Sequence, residues 1–360
     1  MPSEDSQIAV SLLVPIYNVE KYLRECLDSA AAQTLENIEV ICINDGSKDS
    51  SRDIIQEYLD RDPRFRVIDK ENSGYGISMN MGIEAARGEY VGILESDDFI
   101  DKGELEALYT LAKQYDADVV KSNFNFYWSQ PVPRDEFFEY ANSKMCDHVF
   151  APVDEPDVFY MKPSIWSAIY KKSFLDANGI RFLETPGASY QDAGFNFKVW
   201  LAAERAYCVH DAFLHYRQDN EASSVNSPGK VYCVCDEYAE MFEYLDERFP
   251  GKKERMLPVL VKMQYDTYMW NYERLAPELA EEFVHRFAED FRTYRDNGML
   301  DFSYFEPWKP RDCRLIMDDP ELFHTMRSHE GGGKLAGAMY YMKHGGTAAV
   351  KRILEYKKER

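Results

Sequence analysis

Near residue 100 an apolar run, Gly92-Ile93-Leu94, passes directly into Glu95, Ser96, Asp97 and Asp98, with Asp101 three residues on. Like charges a few ångströms apart repel by about 1 kcal/mol in water, and by several times that where solvent is partly excluded. On an extended backbone residues two apart face the same side, so Glu95 and Asp97 point together. Two such carboxylates suit a hard cation, Mg²⁺ or Mn²⁺, which would in turn bridge a diphosphate. The plain alternative is a solvated acidic start to the following helix, capped by Asp98 or Asp101. A second polar loop, Asn44-Asp45-Gly46-Ser47, offers a carboxylate to a base or ribose at a glycine turn. Asp-Gly is also an ordinary turn pair.

The elements that must position these groups follow from periodicity. Apolar runs at 8–16, 38–43, 65–68 and 90–94 alternate with helical patterns at 20–32, 51–60 and 77–86. Strand and helix at this pitch predict βαβ units and a mostly parallel sheet with flanking helices. Ligands then collect at the carboxyl ends of the strands. The loops there carry Pro15, Tyr17 and Glu20 after the first strand, Asp45 after the second, and Glu71-Asn72-Ser73-Gly74-Tyr75-Gly76 after the third. A helix at 104–115 and strands at 117–123, 165–170 and 206–217 follow, with 128–157 read as an insertion. Gln191 or Asp192 is expected to cap a helix. Beyond 230 the pattern is helical, and the aromatic spacing of Tyr265, Tyr268, Trp270 and Tyr272 predicts packing. This divides the chain into 1–225 (halves 8–125 and 126–225), a helical domain at 226–330 and a tail at 331–360.

Of 360 residues 45% are hydrophobic, ample for a large core, and the net charge of −21 argues against nucleic-acid binding. Seven scattered cysteines without a Cys-x-x-Cys pair predict reduced structural thiols and a cytoplasmic setting, although Cys233 and Cys235 could face a ligand. No run is long enough to span a membrane, and the start lacks a signal-peptide pattern. From Lys334 onward seven Lys or Arg stand against two Glu. That basic tail either rests on anionic lipid at the inner face of the membrane or packs on the body or on a second subunit of a homo-oligomer. No Gly-x-Gly-x-x-Gly follows the first strand and no Walker-type Gly-Lys-Ser/Thr occurs, against dinucleotide and P-loop chemistry.

The segments VPIYNVEKYLRECLDS, NDGSKDSS and ENSGYGISMNMGIEAARGEYVGILESDD, with PSIWSAIYKKSFL and ASYQDAGFNFKVW, resemble the family 2 inverting glycosyltransferases of the GT-A fold. The resemblance is dense over 8–125 and extends to about 217. It implies a nucleotide-sugar donor, usually a UDP-sugar, a saccharide or lipid-linked saccharide acceptor, and a divalent metal, Mn²⁺ or Mg²⁺. By the same resemblance Pro15, Tyr17, Glu20 and Asp45 meet the base, while Asn72, Gly74 and Asn80 lie near ribose and phosphates. Glu95, with Ser96 beside it, contacts ribose and sugar, and Asp97 binds the metal. Asp192 is the general base and Arg217 contacts the diphosphate. His215 is a second metal ligand or a buried structural histidine. Trp166, Tyr190 and Gln191, with Ser164, fall where an acceptor sugar could bind, although Trp166 is equally a core residue. Two positions depart from the pattern: Glu95 replaces Asp, and Gln191 replaces the Glu before Asp192, which should ease ionisation of Asp192. A nucleotidyl- or phospho-alcohol transferase on a similar sheet is the competing reading, and a silent binding module a third.

Overall fold

The computed structural model describes residues 8–141, 145–220, 231–328 and 342. In chain order come β1 (Val10–Ile16), α1 (Glu20–Ala31), β2 (Ile38–Asp45), α2 (Ser51–Arg61), β3 (Phe65–Lys70), α3 (Tyr75–Ala85) and β4 (Tyr90–Ile93). β1 and β2 are buried at every position. Strands covered on both faces read as unbroken apolar runs, not as alternation. β1 pairs in parallel with both β2 and β4, and β2 with β3. The chain thus builds outward to β3 and then returns to the far side of β1. That reversal opens a crevice at the carboxyl ends of β1 and β4, the usual ligand position in such sheets.

The sheet is completed by β5 (Phe99–Ile100), β6 (Val119–Trp128), β7 (Arg134–Phe138), β8 (Val149–Phe150), β9 (Ala168–Lys171) and β10 (Ala206–Arg217), with α4 (Glu104–Tyr115), α5 (Lys172–Ala177) and α6 (Gln191–Ala202) between them. Here it is mixed rather than parallel. β9 runs antiparallel to β4 and β6, β10 runs parallel to β6, and β5 lies antiparallel to β10. The stretch expected as an insertion contains β7, paired to β6. Its first four residues are exposed, so no alternation marks it in the sequence.

Two compact units divide the described chain. The first holds residues up to 220 together with 235–250, and the second holds 231–234 and 251 onward. A single boundary near 225 therefore misplaces most of α7 (Cys233–Arg248). This helix joins the first unit because buried Lys198 pairs with Glu240 at 2.6 Å and the Tyr244 hydroxyl donates to the Asn178 carbonyl at 2.9 Å. The second unit contains α8 (Lys253–Arg274), α9 (Pro277–Asp296), α10 (Lys309–Asp318) and α11 (Pro320–Ser328). Phe283, Phe287 and Phe291, four apart on α9, are fully buried, and Tyr268 meets the first two rings edge-on at 5.2 Å. Tyr265, Tyr268 and Tyr272 are core as expected, but Trp270 is 49% exposed. All seven cysteines are free, and all but Cys233 are buried. Among the described residues no helix is long and apolar enough to cross a membrane. The basic stretch from Lys334 lies outside the described residues, Met342 apart.

One buried charge registers the first strands. Glu39 on β2 accepts from the Ser11 hydroxyl of β1 at 2.6 Å, and from the Arg87 main chain and guanidinium and Arg66 of β3 at 2.6–2.9 Å. Burial raises its pKa, but bonds from Arg87, Ser11 and Arg66 outweigh that and hold the carboxyl down at about 2. Because this lies below the unfolded value, Glu39 contributes about 3 kcal/mol in full above pH ~5, lost as pH falls through 4.5 toward 2. Urea unfolding of Glu39→Gln at neutral pH is expected to show a loss of about 2–3 kcal/mol, with a flattened acid arm of the stability curve.

Candidate active site

The end of β4 is built by its neighbour. The Leu94 N–H donates to the Leu13 carbonyl at 2.9 Å, carrying Glu95 to the mouth of the crevice beside β1. The Glu95 carboxylate accepts from the Tyr75 hydroxyl at 2.6 Å. Burial raises its pKa to about 8; the Tyr75 bond opposes this, and Asp97 and Asp192 add to it. Ser96 is buried beside it. Asp97 Oδ2 accepts from the Asn220 amide at 2.7 Å. Asp98 is 1% exposed: Oδ1 accepts from the Arg217 N–H at 2.8 Å, and Oδ2 has no partner among the described residues. Burial, then the Asp97 charge, pushes its carboxyl well above the usual range. Neither Asp98 nor Asp101 caps the next helix. α4 starts from Gly103 with no side-chain cap, and Asp101 serves it only through its carbonyl, which accepts from Glu104 N–H at 3.1 Å.

Arg217, at the end of β10, is the cation of this acidic edge. It is 4% exposed, its Nε donates to the Asp97 carbonyl at 2.8 Å, and its guanidinium pairs with Glu25 and lies 3.6 Å from Asp219. Tyr22 and Tyr127 present their rings to it at 4.6 and 4.9 Å. His215 is a structural residue in this arrangement: Nδ1 meets Asp135 at 2.7 Å, Nε2 lies 3.5 Å from Asp101, and the ring stacks on Phe99 at 4.3 Å.

The donor-side loops are stitched to one another. Asn18, held at a φ of 50°, receives Lys48 N–H on its side chain at 2.8 Å and donates its own N–H to Ser47. Glu20 accepts from Ser50 N–H at 2.7 Å, so its carboxylate anchors the second loop. Pro15 is buried within β1, and Tyr17 is 49% exposed above it. Asp45 is buried and accepts from Lys70, Ser73 N–H at 2.9 Å and Gly74 N–H at 3.1 Å. Gly74 adopts φ 101°, and a Cβ there would stand 2.8 Å from Gly187 N. Asn72 is exposed on the same turn. Asn80, expected near ribose, is spent on protein: its amide brackets the Phe182 main chain at 2.8 and 2.9 Å and reaches Glu184 at 3.0 Å.

Asp192 lies in the first turn of α6, but neither it nor Gln191 caps that helix. The preceding residue is Tyr190 at φ 60°, with no side-chain cap. Gln191 is 2% exposed and folds back, donating to Thr185 Oγ1 at 2.9 Å and Gly187 O at 3.4 Å while accepting from Ser189 N–H. It is a staple of the 185–191 loop. Burial raises the Asp192 pKa, with Lys162 opposing, so the missing Glu at 191 does not leave an easily ionised base. Burial first, then the charges of Asp98, Asp97, Asp192 and Glu95, raises the pKa of the Tyr216 phenol, so all four carboxyls lie within electrostatic reach of that ring. Lys162, 5.1 Å over that ring, faces Asp192 and Asp98. Trp166 is 7% exposed and packs on Phe124 and Tyr216 at 4.6 and 4.9 Å, a core residue on the wall of the site. Ser164 is buried, its carbonyl taken by Lys121.

Among the described residues no three His, Cys, Asp or Glu side chains gather as a cage for a metal. The residues nevertheless fit a hard cation held as Mg²⁺ normally is, by one or two carboxylates plus substrate phosphates. Asp97 sits among like charges and beside the unpartnered oxygen of Asp98. Tyr75, Glu25, Lys162 and Asn220 are site residues the motifs did not flag. Only the pair of glycines around Tyr75 hinted at a close approach. Replacing Arg217 by Ala strips the edge of its buried cation, and urea unfolding is expected to register a loss of about 3–5 kcal/mol.

Comparison with known proteins points to one family. The profile of the Glycosyl transferase family 2 domain matches residues 11–141. GlyG of Streptococcus pneumoniae serotype 4, named a glycosyltransferase, is 44% identical over 217 residues, 58% of this chain and 70% of its own length. EpsJ of Bacillus subtilis, an uncharacterized glycosyltransferase by name, is 31% identical over 68% of each chain. The chain spans only 60% of the length of EpsH of the same organism, at 36% identity. The crystal structure of S. aureus TarS 1-349 superposes with a TM-score of 0.68 at 19% identity, covering 91% of this chain and 92% of that one, and shows the same fold. A TarS 1-349 complex with UDP-GlcNAc superposes equally well. On the family profile, the identity to GlyG and EpsJ and the shared fold, the chain belongs to glycosyl transferase family 2.

Proposed function

We propose that the protein transfers a sugar, with inversion, from a UDP-sugar to an acceptor hydroxyl in the synthesis of a cell-surface polysaccharide or glycoconjugate. The observation that carries this reading is that Asp192, from the second half of the chain, lies within electrostatic reach of Glu95 and Asp97 at the acidic end of β4. A base and a diphosphate-binding edge on one site are what a single displacement needs. Asp192 takes the proton of the acceptor hydroxyl as that oxygen bonds to the anomeric carbon. The bond from that carbon to the diphosphate breaks, and its electron pair leaves on the nucleoside diphosphate. Lys162 feels the charges of Asp192 and Asp98 and is the candidate cation for the developing charge, whereas Arg217 is committed to the protein. Asp97 would hold Mn²⁺ or Mg²⁺, which when bound supplies positive charge to the departing diphosphate. No covalent intermediate is required. The nucleotide complex of TarS, a neighbour in fold, supports a UDP donor, and the basic tail supports an acceptor at an anionic membrane.

Incubation with a panel of nucleotide sugars and Mn²⁺ is expected to release a nucleoside diphosphate and give product of inverted anomeric configuration by NMR. Release of pyrophosphate, or no nucleotide binding at all, would sink this reading. Chelation with EDTA is expected to abolish transfer and Mn²⁺ to restore it. Asp192→Asn is expected to lower kcat about 10²–10⁴-fold with donor affinity kept. Since burial raises the Asp192 pKa and the base acts ionised, the acid limb of kcat should lie above the ordinary aspartate range.

A further inference from the structure

Tyr75 sits between two glycines whose bareness has one structural explanation. A Cβ on Gly74 would lie 2.8 Å from Gly187 N, and one on Gly76 would lie 2.1 Å from Leu183 O. The segment 182–187 is therefore seated directly on the first turn of α3. Two sets of bonds fasten it there, and a third ties it to α6. The Tyr75 N–H donates to the Gly187 carbonyl at 2.9 Å, Asn80 brackets Phe182, and Gln191 ties Thr185 and Gly187 to the start of α6. The rings agree: Phe182 meets Tyr75 edge-on at 5.7 Å and stacks on Phe195 of α6 at 4.2 Å. From the same residue the Tyr75 hydroxyl reaches the other way, to Glu95 at 2.6 Å. Asp45 completes the series by holding Ser73 and Gly74.

We propose that Tyr75 is the positioning residue that sets the base against the donor: its hydroxyl fixes Glu95 while its main chain fixes the segment leading to Asp192. This rests on the transfer reading above, and it assigns Tyr75 no contact with substrate.

Two variants separate the two arms. Tyr75→Phe keeps the ring and the main-chain bond and removes only the hydroxyl, while Gly76→Ala pushes on Leu183 and touches no polar side chain. Both are assayed for kcat, KM and nucleoside diphosphate affinity, and for hydrogen exchange of the ligand-free protein. Tyr75→Phe is expected to lower kcat ~10-fold with acceptor KM and nucleotide affinity within ~3-fold. Gly76→Ala is expected to raise exchange locally across 183–192 and to lower kcat ~10–100-fold, nucleotide affinity again being kept. Wild-type kcat in Tyr75→Phe, or wild-type kcat in Gly76→Ala despite raised exchange, overturns the proposal. Unchanged exchange in Gly76→Ala overturns it as well, because the segment is then not seated on that turn. A wild-type protein that turns over no donor overturns the transfer reading instead, and the exchange arm still decides the seating.

Discussion

Carboxyls crowded at one sheet edge need something to answer their charge, and among the described residues buried Arg217 answers at Asp98 and Lys162 at Asp192. Arg217 binds the Asp97 carbonyl through its side chain and the Asp98 carboxylate through its main chain, and pairs with Glu25. Its guanidinium therefore belongs to the protein rather than to a ligand. Burial first, and then the neighbouring carboxylates, raises the Glu95 and Asp98 carboxyls in spite of this cation. The architecture keeps a site under electrostatic tension and assigns its relief to whatever arrives.

The parts legible in the sequence are those whose pattern is local. β1, β2 and β4 are read correctly because both faces of each are covered, which leaves apolar runs, and the edge strand β3 from its short apolar core. The acidic end and the Asp45 turn are likewise local, and the fold brings them to one crevice. What the sequence does not reveal is partnership at a distance. Asn80 and Gln191 look like substrate-facing amides, yet Asn80 is consumed by a main chain about a hundred residues away and Gln191 by its own loop. Asp98 and Asp101 resemble helix caps, but α4 begins at Glu104 with Gly103 in the cap position, and the carboxylate of Asp98 is claimed by β10. β7 lay hidden because an exposed edge strand has no buried face to impose alternation.

Polar side chains in this site thus serve two ends. Some, such as Asp97 and Asp192, remain near the crevice with capacity to meet a substrate. Others, such as Asp45, Glu20, Gln191 and Arg217, spend most of their bonds holding loops in register. A loop fixed by several such bonds loses its conformational freedom at folding rather than at binding, which preserves ligand affinity.

Asp98 and Arg217 are 119 positions apart. A ribosome adds residues at about 5–20 per second, so the acids of β4 emerge on the order of ten seconds before the arginine that neutralises them. During that interval the nascent amino-terminal half carries its carboxyls without their cation. Its strands can pair, but its ligand edge stays open. Completion of the site is therefore timed by the arrival of β10.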